Sequence, residues 1–247
     1  WCAIELALLD ALAKENSQSI EQLIGAPQLN ESYQYTAVLG EASLSLCRRQ
    51  IEQYHQLRFT DFKVKISGKP AFDSERVALI HSLVPRARIR LDANNVWSET
   101  ATVLDYLDKL DFKPFAIEEP LQAKDYKELN KLIKLSPIPL ILDESFCNMS
   151  HFSQLTAEAG NIIINLRLSK MGGILRSIEI AREAQRRNIP LIIGAQVGES
   201  SILTRAALTV ASESIIAREG AFGTYLLESD ITDTPIMFGT KGRFILK

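Results

Sequence analysis

The chain has 247 residues, of which 46% are hydrophobic and 23% charged, and its 28 basic residues nearly balance its 30 acidic residues for a net charge of −2. This composition is typical of a soluble globular domain, and it lacks the basic excess expected of a protein that binds nucleic acid or an anionic membrane. The longest apolar runs, such as residues 190–193, are far shorter than the roughly 18 residues that span a bilayer, so no transmembrane helix is expected.

Three cysteines, Cys2, Cys47 and Cys147, lie far apart and form no CxxC pair. Neither a disulfide framework nor a zinc site is therefore predicted, and a cytoplasmic location is expected. The chain begins Trp-Cys-Ala-Ile-Glu-Leu, without an initiator methionine or a signal-peptide pattern. We expect it to be part of a longer product.

Apolar residues at helical spacing, Ile4, Leu8, Leu9 and Leu12, predict an amphipathic helix over residues 1–15. Eight short apolar stretches follow, separated by helical patterns of about ten or more residues. The predicted strands are residues 35–39, 62–66, 87–91, 114–117, 138–142, 162–168, 191–193 and 222–227. Repeated strand–helix units of this kind favour an α/β fold with a parallel sheet.

Ionisable residues recur once per strand–helix unit, each directly after an apolar stretch. They stand at intervals of 25 to 27 residues, as Lys65, Asp92, Glu118, Asp143 and Lys170. This spacing places all five on one rim of a single sheet, and in an eight-stranded parallel barrel that rim carries the active site. A doubly wound open sheet is the main alternative, but the chain has neither a GxGxxG nor a GxxxxGK[ST] motif.

Three carboxylates at consecutive strand ends, Asp92, Glu118 and Asp143, form an oxygen-only ligand set that suits Mg²⁺ with waters or substrate oxygens in its remaining positions. A single carboxylate of this kind is more often a helix cap or part of a surface ion pair. Three in phase with the repeat favour the metal site.

Lysines flank the three carboxylates along the chain. Lys63 and Lys65 point to the same face of a predicted strand, where they form either a solvated edge or a pair in the barrel mouth. In the mouth, repulsion between the two ammonium groups favours a usable base near neutral pH. Lys170 precedes Met-Gly-Gly and, alone, is best explained as a surface charge. Across a barrel from Lys65, it becomes a second proton-transfer group.

Five ordered motifs, FKVKISG, LDANN, AIEEPL, LILDES and LRLSKMGG, resemble those of the enolase superfamily. Within it they are similar to the muconate-lactonizing subgroup, which includes muconate cycloisomerases, o-succinylbenzoate synthases, dipeptide epimerases and N-acylamino acid racemases. The resemblance implies a TIM-like (β/α)7β barrel. It also implies that Asp92, Glu118 and Asp143 bind Mg²⁺, with Mn²⁺ as the alternative, and that Lys65 and Lys170 are the acid–base pair.

The neighbouring residues take further roles by the same resemblance. Lys63 and Asn94 are expected to contact the substrate. Glu119 and Glu144 stand beside predicted ligands, and the family pattern selects Glu118 and Asp143 for the metal and leaves the neighbours as their supporting partners.

The implied reaction is removal of the proton α to a substrate carboxylate through an enediolate, giving epimerisation, racemisation or cycloisomerisation. A dipeptide or N-acylamino acid epimerase is the favoured member. An o-succinylbenzoate synthase-type dehydratase, a metal-dependent aldolase or hydrolase, and a catalytically silent barrel used for binding are the alternatives. The expected partner is a small-molecule carboxylate, and a homo-oligomer is compatible with the sequence.

Acidic residues after the last two predicted strands are candidates for substrate specificity. Glu199 matches an acidic family position or, equally, a helix-start carboxylate. Glu228 and Asp230 resemble the Asp-x-Asp pair with which dipeptide epimerases bind an ammonium group, although the first acid here is Glu and the alignment can also shift to Asp233. Alternatively, these residues simply end a strand. A separate prediction from strand parity places Arg90 inside the barrel beneath Asp92.

The domain prediction has two parts. Residues 1–30 are expected to be a helix and segment that join the barrel to a capping domain, which this chain is expected to lack. Residues 31–247 are expected to form the catalytic barrel. Because relatives select substrates with loops of that cap, we expect this chain alone to bind Mg²⁺ but to turn over slowly.

Overall fold

Eight parallel strands form the centre of the computed structural model, which describes residues 1–29, 32–156, 161–210, 215–219, 227–237, 241 and 243–245. Strands β2 to β8 pair in sequence order, and β1 pairs with both β2 and β8, so the sheet closes into a barrel. A short ninth strand lies antiparallel to β1. The strands are β1 (Ser32–Leu39), β2 (Asp61–Lys65), β3 (Arg88–Asp92), β4 (Ala116–Glu118), β5 (Leu140–Leu142), β6 (Ile162–Leu166), β7 (Leu191–Ile193), β8 (Ile215–Glu219) and β9 (Arg243–Ile245).

Helices connect the successive strands, which confirms the (β/α)7β barrel. A 3₁₀ helix, Met149–Gln154, takes the place of an α-helix after β5. The α-helices are α1 (Cys2–Glu15), α2 (Ile20–Ile24), α3 (Leu44–Gln56), α4 (Pro70–Leu83), α5 (Thr100–Asp108), α6 (Tyr126–Leu135), α7 (Leu168–Met171), α8 (Ile174–Arg186) and α9 (Ser201–Thr209). Over the ranges that the structure describes, none of them is long and apolar enough to cross a membrane.

The last barrel strand lies earlier in the chain than predicted. Strand β8 covers Ile215–Glu219 and pairs with β7 and β1, whereas the prediction placed this strand at residues 222–227. Of that range, residues 222–226 lie outside the described residues, and Leu227 is not in a strand. The sequence of β8, Ile-Ile-Ala-Arg-Glu, ends in two charged residues, so its pattern lacks the continuous apolar run that marks a buried strand.

The side chains of the barrel strands contribute to two separate apolar clusters, one on each face of the sheet. One face packs against the helices, as for Phe62 and Val64 in β2. The opposite face points into the barrel, where Ala116, Ile141, Ile163 and Ile192 form a small apolar cluster. Arg90 is buried two residues before Asp92 in β3, which places it on the inner face, as predicted.

Helix α1 is confirmed, but most of its predicted apolar face is exposed. Leu9 and Ala13 are its buried residues, while Ile4, Leu8 and Leu12 are 57%, 59% and 46% exposed. The predicted helix is therefore present, with Leu9 packed against the rest of the chain and the other three apolar residues exposed. The proposed boundary between residues 30 and 31 stays a prediction, because both residues lie outside the described ranges.

Helix α2 is tied to α9 by a buried ion pair. Glu21, 1% exposed, accepts hydrogen bonds from Arg205 Nη1 at 2.9 Å, Arg205 Nη2 at 3.1 Å and Thr209 Oγ1 at 2.7 Å. Burial alone raises the pKa of Glu21, but the hydrogen bonds from Arg205 and Thr209 outweigh it and lower the pKa to about 2.

We expect Glu21→Gln to lower the free energy of unfolding at pH 7 by about 1–2 kcal/mol, since Arg205 loses its charged partner. The effect is moderate because the Arg205 side chain itself is 38% exposed. The folded-state pKa lies below the ordinary value of 4.5, so the stabilisation is present above that pH and is lost as the pH falls toward 2. Urea unfolding of both proteins between pH 7 and pH 2 should show the difference shrinking. Asp10→Asn, in the exposed pair with Lys14, is the control and should change stability little at any pH.

Candidate active site

A buried lysine bridges two of the predicted metal ligands. Lys63 Nζ lies 3.0 Å from Asp92 Oδ2 and 2.9 Å from Glu118 Oε2, and all three side chains are at most 3% exposed. Asn165 Nδ2 donates to Glu118 Oε1 at 2.8 Å. Since β2, β4 and β6 are not neighbouring strands, these contacts cross the inside of the barrel. The structure thus brings Asp92 and Glu118 together at its mouth.

The third predicted ligand, Asp143, directly follows β5 and is held by two cations. Arg167 Nη2 lies 2.5 Å from Asp143 Oδ2, and Lys170 Nζ donates to Asp143 Oδ1 at 2.8 Å. Lys170 also donates to Glu144 Oε1 at 3.0 Å. Arg167 Nη2 lies 3.8 Å from Glu118 Oε1, so this group is continuous with the cluster around Lys63.

Burial and neighbouring opposite charges have opposing effects on the pKa values of Asp143 and Lys170. Burial raises the pKa of Asp143, against the lowering effect of the Arg167 guanidinium. For Lys170, burial alone lowers the pKa, but its hydrogen bonds and attraction to Asp143 and Glu144 outweigh this and raise it. Lys170 is therefore held as an ammonium in the structure.

The backbone conformation at Glu119 turns its carboxylate away from the carboxylate of Glu118. Its φ of 39° lies in the left-handed region, and its carboxylate turns to the end of β5, where it accepts from Asp143 N at 2.6 Å, Ser145 N at 2.7 Å and Ser145 Oγ at 2.9 Å. Burial raises the pKa of Glu119 to about 7 despite these hydrogen bonds. Glu119 thus positions the loop that carries Asp143, while Glu118 faces the barrel interior.

Lys65 and Lys170 lie on opposite sides of the barrel mouth. Lys65 is the last residue of β2 and Lys170 lies in α7, directly after β6. In the closed order of eight strands, four steps separate β2 from β6, and strands β3, β4 and β5 with their carboxylates lie between them. The two predicted acid–base groups therefore flank the predicted metal ligands.

The predicted substrate contacts have different surroundings. Asn94 is exposed, and its backbone N–H donates to Asp92 Oδ1 at 3.1 Å. Buried Glu199 accepts from Gln196 N and Thr204 Oγ1, both at 3.0 Å. Asp230 accepts from Ser201 N at 3.0 Å and Ser201 Oγ at 2.7 Å, at the start of α9. Glu228 is exposed. Substrate roles for these four and for buried Lys63 stay predictions.

Asn165 and Arg167 contact the predicted ligands but were not assigned by sequence reasoning. The signal was available, because Asn165 and Arg167 follow Ile163 at steps of two residues, Asn165 within β6 and Arg167 directly after it, and residues two apart in an extended chain point to the same face. Gly194 was also missed. A Cβ atom there would overlap Asn165 Oδ1 and lie 2.7 Å from Arg167 Cγ, so glycine at this position leaves room for both side chains.

We expect Gly194→Ala to destabilise the protein by about 1–3 kcal/mol, because the added methyl group forces Asn165 and Arg167 from their positions in a packed interior. Thermal unfolding would measure the loss. Gly40→Ala is a matched control at the end of β1, since a Cβ there meets no atom within 4 Å. An equal effect of the two substitutions would contradict the packing argument.

The chemistry of the site fits a hard divalent cation. Asp92, Glu118 and Asp143 are buried carboxylates at the ends of consecutive strands, and oxygen ligands of this kind are preferred by Mg²⁺. Within the part of the chain that the structure describes, no three His, Cys, Asp or Glu side chains converge to hold a metal ion as they stand. Each of the three carboxylates lies within 3.0 Å of a cationic side chain, as the pairs Lys63–Asp92, Lys63–Glu118, Arg167–Asp143 and Lys170–Asp143.

The chain is a closed α/β barrel with carboxylates and two lysines on its carboxyl-terminal rim, the rim on which barrels of this fold carry their functional residues. The chain belongs to the family described as "Enolase C-terminal domain-like", whose model matches residues 46–241.

Two similar proteins are the L-Ala-D/L-Glu epimerase of Francisella tularensis subsp. novicida, 27% identical over 87% of this chain and 61% of the relative, and the N-succinyl-L-Arg/Lys racemase of Bacillus cereus, 28% identical over 93% and 62%. The chain thus spans about three fifths of the length of these relatives.

Solved structures are similar as well. A crystal structure of the Bacillus cereus racemase superposes on 99% of this chain, over 69% of the racemase chain, with a TM-score of 0.80 at 26% sequence identity. That of a dipeptide epimerase from Enterococcus faecalis V583, complexed with Mg and dipeptide L-Leu-L-Tyr, matches 100% and 70% with a TM-score of 0.87 at 22% identity.

Proposed function

We propose that this chain removes and returns the proton α to a substrate carboxylate, with inversion at that carbon, using a bound divalent cation. The observation that carries the proposal is the placement of Lys65 and Lys170 on opposite sides of the barrel mouth, with three buried carboxylates at the ends of the strands between them. A hydrolase or an aldolase would not require a pair of opposed lysines, and a silent binding barrel would need none of the five groups.

Asp92, Glu118 and Asp143 are the residues that would hold the cation, Mg²⁺ by preference and Mn²⁺ as the alternative. When bound, the cation supplies positive charge that stabilises the negative charge developing on the substrate carboxylate. Asn165 and Glu119 support this set, because Asn165 donates to Glu118 and Glu119 accepts from the backbone N–H of Asp143. Such outer hydrogen bonds fix the orientation of ligands.

One lysine is proposed to remove the proton and the other to return it. A substrate carbon between Lys65 and Lys170 loses its proton to the neutral amine on one face and receives a proton from the ammonium on the other. Lys170 donates hydrogen bonds to Asp143 and Glu144, and such acidic partners favour the ammonium form, which is the form that donates a proton. Because each amine serves one face, the same pair inverts either epimer, with the roles exchanged.

N-acylated amino acids, including dipeptides, are the proposed substrate class. Two similar proteins are named as an epimerase of L-Ala-D/L-Glu and a racemase of N-succinyl-L-Arg/Lys, and both names place an acylated amino acid at the inverted centre. We propose that Lys63 and Asn94 assist at the carboxylate and that Glu199, Glu228 and Asp230 contribute to the pocket for the remainder of the substrate.

A screen of dipeptides and N-acylamino acids with Mg²⁺ in D₂O tests the proposal. We expect loss of optical rotation together with incorporation of one deuterium at the α carbon, and we expect EDTA to stop both. Cycloisomerase and o-succinylbenzoate synthase substrates belong in the same screen. Turnover of those alone, without deuterium exchange in any amino acid derivative, would replace the epimerase by a lyase or cycloisomerase.

A further inference from the structure

Helix α1 reaches the segment that carries Lys170. It packs against α7, which contains Lys170, and against α8, which follows. Its half-buried Glu5 places its carboxylate at the first turn of α8, where Glu5 Oε2 accepts from Ile174 N and Glu5 Oε1 accepts from Leu175 N at 3.4 Å. A residue of the amino-terminal segment therefore contacts the barrel just beyond the predicted acid–base group.

This contact supplies a helix cap that the local sequence lacks. The residue before α8 is Gly173, which has no side chain to cap the helix, and the first N–H groups of a helix have no partner within it. The Glu5 carboxylate accepts from two of them, and its negative charge is favourable at this end of the helix dipole. Glu5 thus replaces the usual Ser, Thr or Asp cap from a distance of more than 160 residues in the sequence.

Gly173 fits this arrangement for a second reason. It has a φ of 128°, and a Cβ atom at this position would overlap the Glu5 carboxylate. Gly172 before it has a φ of 96°, so α7 is joined to α8 by two residues in a conformation that side chains disfavour. Since glycine is permissive in itself, such a joint needs contacts from outside to hold one geometry.

Lys170 lies two residues before this joint. The N–H groups of Gly172 and Gly173 both donate to Leu168 O, at 3.2 Å and 3.1 Å, so the start of α8 is directly connected to the turn that presents Lys170. We propose that Glu5 is a positioning residue that fixes the α7–α8 joint and thereby holds Lys170 on its face of the substrate. This inference rests on the proposed function, because it assigns Lys170 one of the two faces.

The test compares Glu5→Ala with Glu5→Gln and Asp10→Ala. The amide oxygen of Gln can still accept from Ile174 N, and Asp10 is an exposed carboxylate on the same helix. Deuterium exchange at the α carbon is followed separately from each epimer, and Lys170→Ala identifies the epimer that Lys170 deprotonates. We expect Glu5→Ala to slow exchange of that epimer about 10- to 100-fold, as for a displaced catalytic group. Exchange of the other epimer should stay within about 2-fold, and Glu5→Gln should recover most of the loss. Asp10→Ala should behave as the unmodified chain.

Amide hydrogen exchange of residues 168–175 provides a readout that does not depend on turnover. Faster exchange of this segment in Glu5→Ala, with no change in Asp10→Ala, supports the proposed contact. Unchanged exchange there would overturn the proposal even if no substrate is found. Equal slowing of both epimers would also overturn it, because that pattern indicates a general loss of folding. Absence of exchange from either epimer in the unmodified chain would contradict the proposed function, and the amide measurement would still decide the role of Glu5.

Discussion

Lys65→Ala and Lys170→Ala are each expected to stop inversion of the substrate, and each should stop α-proton exchange from a different epimer. A positioned general base contributes about 10²- to 10⁴-fold, so we expect exchange from the affected epimer to fall by at least that range. The other lysine still faces the opposite epimer across the barrel and should continue to exchange its α-proton with D₂O. The measurement is deuterium incorporation from each pure epimer, by mass spectrometry or NMR.

The controls separate loss of a base from loss of the site. Neither lysine is a predicted metal ligand, so both variants should still be stabilised by Mg²⁺ in thermal unfolding. Lys69→Ala, which removes an exposed lysine near the same rim, should leave exchange unchanged. If both lysine variants lost exchange of the same epimer only, one lysine would be the sole base, as in a dehydration or cycloisomerisation, and the two-base mechanism would be wrong.

The rim of the barrel could be predicted because it is encoded in spacing. Lys65, Asp92, Glu118, Asp143 and Lys170 each follow an apolar stretch, and one strand–helix unit separates each from the next. Parallel strands bring such positions to the same end of the sheet. Strand alternation in the same way placed Arg90 inside the barrel, where it is buried.

Other features depend on contacts that spacing does not encode. Periodicity identified α1, but it did not show that Ile4, Leu8 and Leu12 are exposed, because the pattern shows that a helix is amphipathic and not which side of it meets the barrel. The cap that Glu5 provides for α8 joins residues 169 positions apart, and no local sequence pattern predicts such a contact. Asp230 is similar, since its carboxylate accepts from Ser201, a contact that only the fold creates.

We expect Glu118→Gln to lower both the stability of the protein and its affinity for Mg²⁺. Glu118 is buried and contacts Lys63, Asn165 and Arg167. Glu118→Gln keeps the size of the side chain but removes a negative charge, so Lys63 loses an anionic partner while it keeps its contact with Asp92. We expect the metal-free protein to lose about 3 kcal/mol of stability, toward the lower end for breaking a buried ion pair because Gln can still accept a hydrogen bond. We also expect an at least 100-fold loss of Mg²⁺ affinity, more than is typical of losing an outer partner.

Lys63→Met should give the opposite response to Mg²⁺. The substitution conserves volume but leaves Asp92 and Glu118 facing each other without the ammonium that lies 3.0 Å and 2.9 Å from them, so the metal-free protein should again lose about 3 kcal/mol. A divalent cation can then replace the missing charge. At 100 times its Kd, Mg²⁺ stabilises a folded protein by about 2.7 kcal/mol. Thermal unfolding with and without Mg²⁺ should therefore show at least that gain for Lys63→Met and almost none for Glu118→Gln at the same concentration. Equal gains in the two variants would mean that the cation binds elsewhere, and that the three strand-end carboxylates are a network of ion pairs and not a metal site.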